Sequence, residues 1–270
     1  MAKKIAAGRV DVRFPPVLLT FAAIIFLRLK SSTFIMGRAF EFRKARKFKR
    51  WDKMSKAFSR LGKEIVIAVK EGGPNPDSNA RLRTAIQNAK GVNMPKDRVE
   101  AAIKRASSKE EKDYEVVVYE GYGPHGIAIL IETATDNINR TVANIRVYLS
   151  RAGGNVGKTG SLDFIFTRKG IFRLPTEGLD LEELELELID VGAEDIYEHE
   201  GEIIIETAFT DFGAMQKALE EKGLPVTSAE LQRIPNTRTE LSDEQAEEIE
   251  NLIEKIEEDD DVQAVYHNMA

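Results

Sequence analysis

IFRLPTEGLDLEELELELIDVGAEDIYEHEGEIIIETAFTDFGAMQKALEEKGLPVTSAELQRI, residues 171–234, alternates between two periodicities, and that alternation decides the fold. Short runs rich in β-branched residues, at Ile171–Leu174, Ile196, Ile203–Ile205 and Val226–Ile234, predict strands. Between them, Leu181–Val191 and Phe212–Lys222 carry apolar residues at helical spacing. The order is βαββαβ, that of a ferredoxin-like unit.

Upstream, Tyr114–Glu120 and Ile127–Thr133 predict strands around a turn at Gly121–Gly126. Asn137–Arg151 predicts a helix with Ile138, Val142, Ile145 and Leu149 on one side. Leu162–Thr167 reads as a further strand, separated from Ile171 by Arg168-Lys169-Gly170. These elements are one helix and one strand short of a second split β-α-β unit. The acidic helix capped by Ser242 and running to about Glu258, with a strand at Val262–Tyr266, would complete it. An α+β chain is expected, with a ferredoxin-like acidic domain (170–235) inserted into another of similar type (111–169 plus 236–270).

Residues 36–110 read as a domain of three short helices. Met54, Phe58, Leu61 and Ile65 form one apolar stripe, ended by Gly72-Gly73-Pro74. Asp77, Ser78 and Asn79 are cap-type residues before a helix carrying Leu82, Ala85, Ile86 and Ala89, which Gly91 closes. Pro95 opens a third helix lined by Val99, Ala102 and Ile103.

The net charge of −6 conceals a strong asymmetry. Residues 36–106 carry 19 Lys/Arg against seven acids, whereas residues 107–270 carry 14 against 37. A polyanion is the natural partner of the first part, and the acidic part suits basic ribosomal or transcription proteins. Arg43, Lys44, Arg46, Lys47, Lys49 and Arg50 form a run with Phe48 inside it and Trp51 at its end. Such cations release counterions when they neutralise phosphates, and aromatic rings stack on bases; for Phe40 and Phe42, packing under the helices is an equal alternative. Lys53, Lys56, Arg60, Lys90 and Lys96 extend the set, and Arg81 and Arg83, at the start of the second helix, are the leading contacts outside the run. Nothing in the pattern spells a base-reading helix, so sequence-tolerant binding is expected.

Residues 1–35 differ from the rest: basic residues precede an apolar run from Val17 to Leu27 that is shorter than the roughly 20 residues needed to span a bilayer. Arg28, Lys30 and Ser31 follow it in place of a small-residue cleavage site. The segment reads as a mis-assigned start upstream of Met36, with a targeting segment as the alternative.

Other chemistry finds little support. The chain has no cysteine, which removes disulfides, thiolate metal sites and cysteine nucleophiles. His125, His199 and His267 lie far apart, and none has metal-ligand spacing. Ala152–Thr159 nearly spells a P-loop, but a predicted helix precedes it and a strand follows, the reverse of what phosphate binding requires. The expectation is a non-enzymatic protein with no cofactor, no metal, no small-molecule substrate and no membrane association.

Several strings resemble the YebC/PmpR family. They include Met36-Gly37-Arg38, Lys63-Glu64-Ile65, Ala68–Gly73, Pro76, Asn79–Arg83 and Asn93–Asp97. Tyr119–Pro124, Thr135-Asp136-Asn137, Asn139-Arg140-Thr141 and Gly153-Gly154-Asn155 continue the series. The resemblance implies a three-domain α+β protein opening with a helical bundle, and a cytoplasmic DNA-binding transcriptional regulator. It also implies an alternative, a ribosome-associated translation factor touching ribosomal RNA, as in the mitochondrial translational activator of cytochrome oxidase. Two positions depart from the family pattern. A Gly-His-Ser-Lys-Trp-like start is here Gly37-Arg38-Ala39-Phe40-Glu41, and a Gly-Pro-Gly-Gly turn is Gly123-Pro124-His125-Gly126. DNA and RNA remain alternatives at this point. A pure protein-interaction module would instead tolerate neutralisation of the basic run.

Overall fold

Strand β4, Phe166–Pro175, crosses the centre of the second half of the molecule and corrects one sequence-based expectation. The computed structural model describes residues 53–108 and 113–270, and it shows one strand where two were expected around Arg168-Lys169-Gly170. Gly170 is a packing glycine and makes no turn. A Cβ there would lie 2.6 Å from Phe212 Cδ2 and 2.7 Å from Thr207 Cγ2. Lys169 stays extended because its ammonium meets Glu206 at 2.8 Å.

Around β4 fold α5 (Leu181–Leu188), β5 (Ala193–His199), β6 (Glu202–Ala208), α6 (Phe212–Glu221) and β7 (Ser228–Pro235). The sheet order is β5-β6-β4-β7, antiparallel throughout, which is the ferredoxin-like order. Asp180 caps α5 by accepting from the amides of Glu182 and Glu183. Gly192, at φ +100°, takes the left-handed turn into β5 that glycine adopts without strain. The helices cover one face, where Phe172 stacks on Phe212 with ring centroids 4.8 Å apart.

The other sheet joins β1 (Glu115–Tyr122), β2 (Ala128–Thr135), β3 (Asn155–Val156) and β8 (Val262–His267) in the order β3-β1-β2-β8, again antiparallel. Helix α4 (Ile138–Arg151) carries the chain from β2 past β1 to β3, so β1 lies inside a split β-α-β arrangement. The expected ferredoxin-like order fails here. The first hairpin is closed by the tight turn at Pro124–Gly126 and holds both central positions, which forces β3 and β8 to the edges. Ser242 and Gln245 form a reciprocal capping box at the start of α7 (Asp243–Glu257). Helices α4 and α7 bury Ile145, Leu149, Ile249, Leu252 and Ile256 against Ile129 and Ile131. Each such side chain contributes about 1.5–3 kcal/mol when fully removed from water. The chain leaves this sheet after β3 and rejoins it at β8. The near-P-loop string forms a turn from α4 into β3, where a Cβ on Gly154 would lie 2.2 Å from the Tyr122 carbonyl oxygen.

The helical part comprises α1 (described over 53–72), α2 (Ala80–Gly91) and α3 (Lys96–Ala106), sharing a core of Ile65, Val69, Leu82, Ala85, Val99 and Ala102. Asn79 caps α2 through the Leu82 amide and donates to the carbonyls of Ala68 at 2.7 Å and Gly73 at 2.9 Å. That side chain fills the space above Gly72, where a Cβ would approach it to 2.6 Å. Residues 36–52 of the expected helical domain lie outside the described residues.

Candidate nucleic-acid interface

The helical part is held to both sheets, which fixes where its cations point. Lys63 on α1 donates to the carbonyls of Ala134 at 3.0 Å and Asp260 at 2.7 Å, and meets Asp261 at 3.1 Å. Asp261 is buried, and burial alone would raise its pKa. Hydrogen bonds from Arg140 at 2.6 Å, Thr141 at 2.9 Å and Lys63 outweigh that and hold the carboxyl below its usual range. On α2, Asn88 bonds Ala229 of β7, and Gln87 donates to the Val226 carbonyl at 3.1 Å.

Arg43, Lys44, Arg46, Lys47, Lys49, Arg50 and Trp51, with the neighbouring Phe40, Phe42 and Phe48, lie outside the described residues. Lys53 is exposed, and Lys56 and Arg60 are half-buried. Arg60 donates to the Glu257 carbonyl at 3.2 Å. Lys90 is exposed in the last turn of α2. Lys96 is exposed beside Glu100, 3.4 Å away and one helical turn on. Arg81 is ion-paired with Glu71. Arg83 is stitched into its own loop, donating to the carbonyls of Pro76 at 2.9 Å and Asp77 at 3.1 Å. Glu220 is 3.6 Å from it. The structure gives Arg83 an internal task, which sequence spacing could not reveal because the loop carbonyls carry no sequence signature.

Helix α3 adds cations that were not singled out from sequence. Arg98, Lys104 and Arg105 are exposed, and Lys104 and Arg105 fall in the last turn, where the helix dipole favours positive charge. Arg98 and Arg105 are seven residues apart and share a stripe that flanks the buried face of Val99, Ala102 and Ala106. Arg98 rests over the Phe58 ring, 5.5 Å from its centroid. Their amphipathic spacing was the available signal.

A cleft of about 1170 Å3 opens between α1, α2, the outer face of β1-β2-β8 and the β4–β7 edge. Its floor includes Val116, Val118 and Ala264, and its rim includes exposed Phe209. Arg168 lies over the Phe209 ring at 4.3 Å, and Arg233 donates to Glu132 at 3.2 Å. Burial pushes the Arg168 pKa down and Arg233 pushes it further, with Glu132 opposing. Glu64, at the α1 wall, is pushed up by burial and by Glu230, with Arg81 opposing. Among the described residues no group of three or more His, Asp or Glu stands ready for a metal ion, and no helix is long and apolar enough to cross a membrane.

Two antiparallel sheets with helices, preceded by a cation-bearing helical part, define a protein of the α+β class. Residues 38–109 match the family described as "TACO1/YebC protein N-terminal domain" and residues 114–269 match "TACO1/YebC second and third domain"; the chain belongs to the YebC family. A "Probable transcriptional regulatory protein" of Cytophaga hutchinsonii is 65% identical over 235 residues, covering 87% of this chain and 99% of that relative. One of the same description from Flavobacterium johnsoniae is 59% identical over 234 residues, with coverage of 87% and 99%. The crystal structure of a conserved hypothetical protein from Aquifex aeolicus superposes with a TM-score of 0.71 at 39% identity, covering 80% of this chain and 90% of that one.

Proposed function

We propose that this chain is a non-enzymatic, DNA-binding transcriptional regulator that grips the phosphate backbone through its helical domain. The observation that carries the reading is the concentration of exposed cations on α2 and α3 (Lys90, Lys96, Arg98, Lys104 and Arg105), to which the sequence adds the basic run of residues 43–50. The acids gather elsewhere: Glu182, Glu183, Glu185 and Glu187 on α5, and Asp243, Glu244, Glu247, Glu248 and Glu250 on α7, are exposed. The names of the relatives support regulation of transcription, and the setting expected for such a protein is the cytoplasm. Charge attraction to phosphate is indifferent to base sequence, so affinity outruns specificity.

A second reading, a ribosome-associated translation factor, draws on the acidic faces of α5 and α7, which suit the basic proteins that accompany ribosomal RNA. Equilibrium binding to a DNA duplex and to a structured RNA, over a salt series, tests the shared premise. With about six phosphates neutralised, log affinity for duplex falls against log salt with a slope of about −5. A slope near zero removes the premise. Preference for one nucleic acid at equal salt separates the two readings.

A further inference from the structure

The pairing of β4 with β7 sets Arg168 directly opposite Arg233. Like charges facing each other across adjacent strands destabilise a sheet. One carboxylate, Glu132, meets Arg233, and among the described residues Arg168 has no hydrogen bond or ion pair, only the Phe209 ring beneath it. Arg168 is exposed and Arg233 half-buried, so two facing guanidinium groups share one carboxylate and leave a surplus positive charge that an anion would balance. The pair opens into the cleft, whose volume compares with ligand pockets of about 300–1000 Å3.

We propose that this cleft holds an unpaired strand of nucleic acid, with one backbone phosphate on Arg168 and Arg233 and its bases against the apolar wall. The inference rests on the nucleic-acid reading above and adds a second site to it, apart from the exposed cations Lys90, Lys96, Arg98, Lys104 and Arg105. Guanidinium groups suit a phosphate because their donors match its oxygens in pairs. Phe209 and Val116, both exposed in the cleft, offer flat or apolar surface to bases that have left a stack. Glu64, Glu230 and Glu257 also line the cleft, Glu202 there is paired with Arg173, and Glu132 takes one side of Arg233, so the cleft has no continuous basic track and the phosphate is drawn to the Arg168 side of the pair. A double helix carries its phosphates on a rigid outer cylinder that a walled cleft excludes, so the site selects single strands.

The test compares the full-length chain, Arg168→Gln, and a variant with Lys44, Arg46, Lys47, Lys49 and Arg50 changed to Gln. The probes are a labelled oligouridine and a DNA duplex of equal length, each with and without millimolar inorganic phosphate. Arg168→Gln is expected to weaken oligouridine binding about tenfold, as for loss of one charge-assisted hydrogen-bonded contact. The salt slope becomes shallower by about 0.7, the single-strand value for one phosphate. Duplex binding is unchanged, and the melting temperature is equal or higher because a like-charge pair is relieved. Unaltered oligouridine binding by Arg168→Gln overturns the proposal, as does an equal loss on duplex or a lowered melting temperature. Displacement of phosphate from Arg168 with no oligouridine effect would assign the pair to free phosphate and also overturn it. If the unaltered chain binds neither probe, the nucleic-acid reading itself fails; if it binds both and only the Arg168 result is negative, this inference fails alone.

Discussion

The side-chain amide of Asn88 offers Ala229 both hydrogen bonds that a neighbouring strand would make. Nδ2 donates to its carbonyl at 2.9 Å, and Oδ1 accepts from its amide at 2.9 Å. Ala229 sits on the open edge of the β5-β6-β4-β7 sheet, so α2 is fastened to that edge as a strand would be. Gln216 of α6 reinforces the joint by donating to Thr84 at 2.7 Å.

Replacing Asn88 with Ala leaves a buried amide and a buried carbonyl without partners. Each orphaned group costs about 1–3 kcal/mol. Asn88→Ala is expected to lower the urea midpoint accordingly while the far-ultraviolet dichroism keeps its native shape. An unchanged midpoint would show that the pairing contributes nothing.

Gly170→Ala probes the packing that makes β4 one strand. The added methyl would press on Phe212 and Thr207, and overpacking of a filled site costs about 1–3 kcal/mol. A loss of stability in that range, read by denaturant titration, is expected. A turn at residues 168–170 would tolerate the change.

Asp261 gives the fold an acid-sensitive joint. Its folded pKa lies below the ordinary carboxylate value of about 3.9. Its stabilising contribution is therefore complete above that value and disappears as pH falls through the folded one. Between pH 7 and 5 the midpoint of unfolding should not respond to this group. Below about pH 4 the unaltered chain should lose stability more steeply than Asp261→Asn. The variant itself should be weaker at pH 7, since it strands Lys63 and Arg140 without their shared carboxylate. Parallel pH slopes for the two proteins would place the acid sensitivity elsewhere.

The cations on α3 and the Arg83 guanidinium should behave differently. Changing Lys96, Arg98, Lys104 and Arg105 to Gln is expected to weaken duplex binding on every sequence alike. The salt slope should be shallower by about 0.9 for each true phosphate contact. Arg83→Gln should act mainly on stability, through the carbonyls of Pro76 and Asp77. Filter binding across a salt series, beside thermal melts, separates the two effects.

Local patterns in the sequence carried much of this architecture. The caps Asn79 and Ser242 and the apolar stripes placed the helices because capping and periodicity are local effects. Strand β4 escaped because Arg168-Lys169-Gly170 resembles a turn when Phe212 and Thr207, its distant packing partners, are not in view. The order β3-β1-β2-β8 escaped for a similar reason, since nothing in a strand's own residues says which neighbour it takes. The charge asymmetry pointed to the helical part, yet the internal duties of Arg60 and Lys63 depend on carbonyls far away in sequence, and that of Arg83 on nearby loop carbonyls that carry no sequence signature. The cleft lies between separate elements, so no contiguous motif announced it.

Crosslinking in living cells tests the central claim most directly. The tagged chain and the variant with Lys44, Arg46, Lys47, Lys49 and Arg50 neutralised would be compared, with the recovered DNA and RNA sequenced in parallel. The account expects nucleic acid well above background with the unaltered chain and loss of that signal with the variant, promoter DNA marking the transcriptional reading and ribosomal RNA the translational one. Background recovery of both nucleic acids, or recovery that survives neutralisation of the basic run, would contradict it.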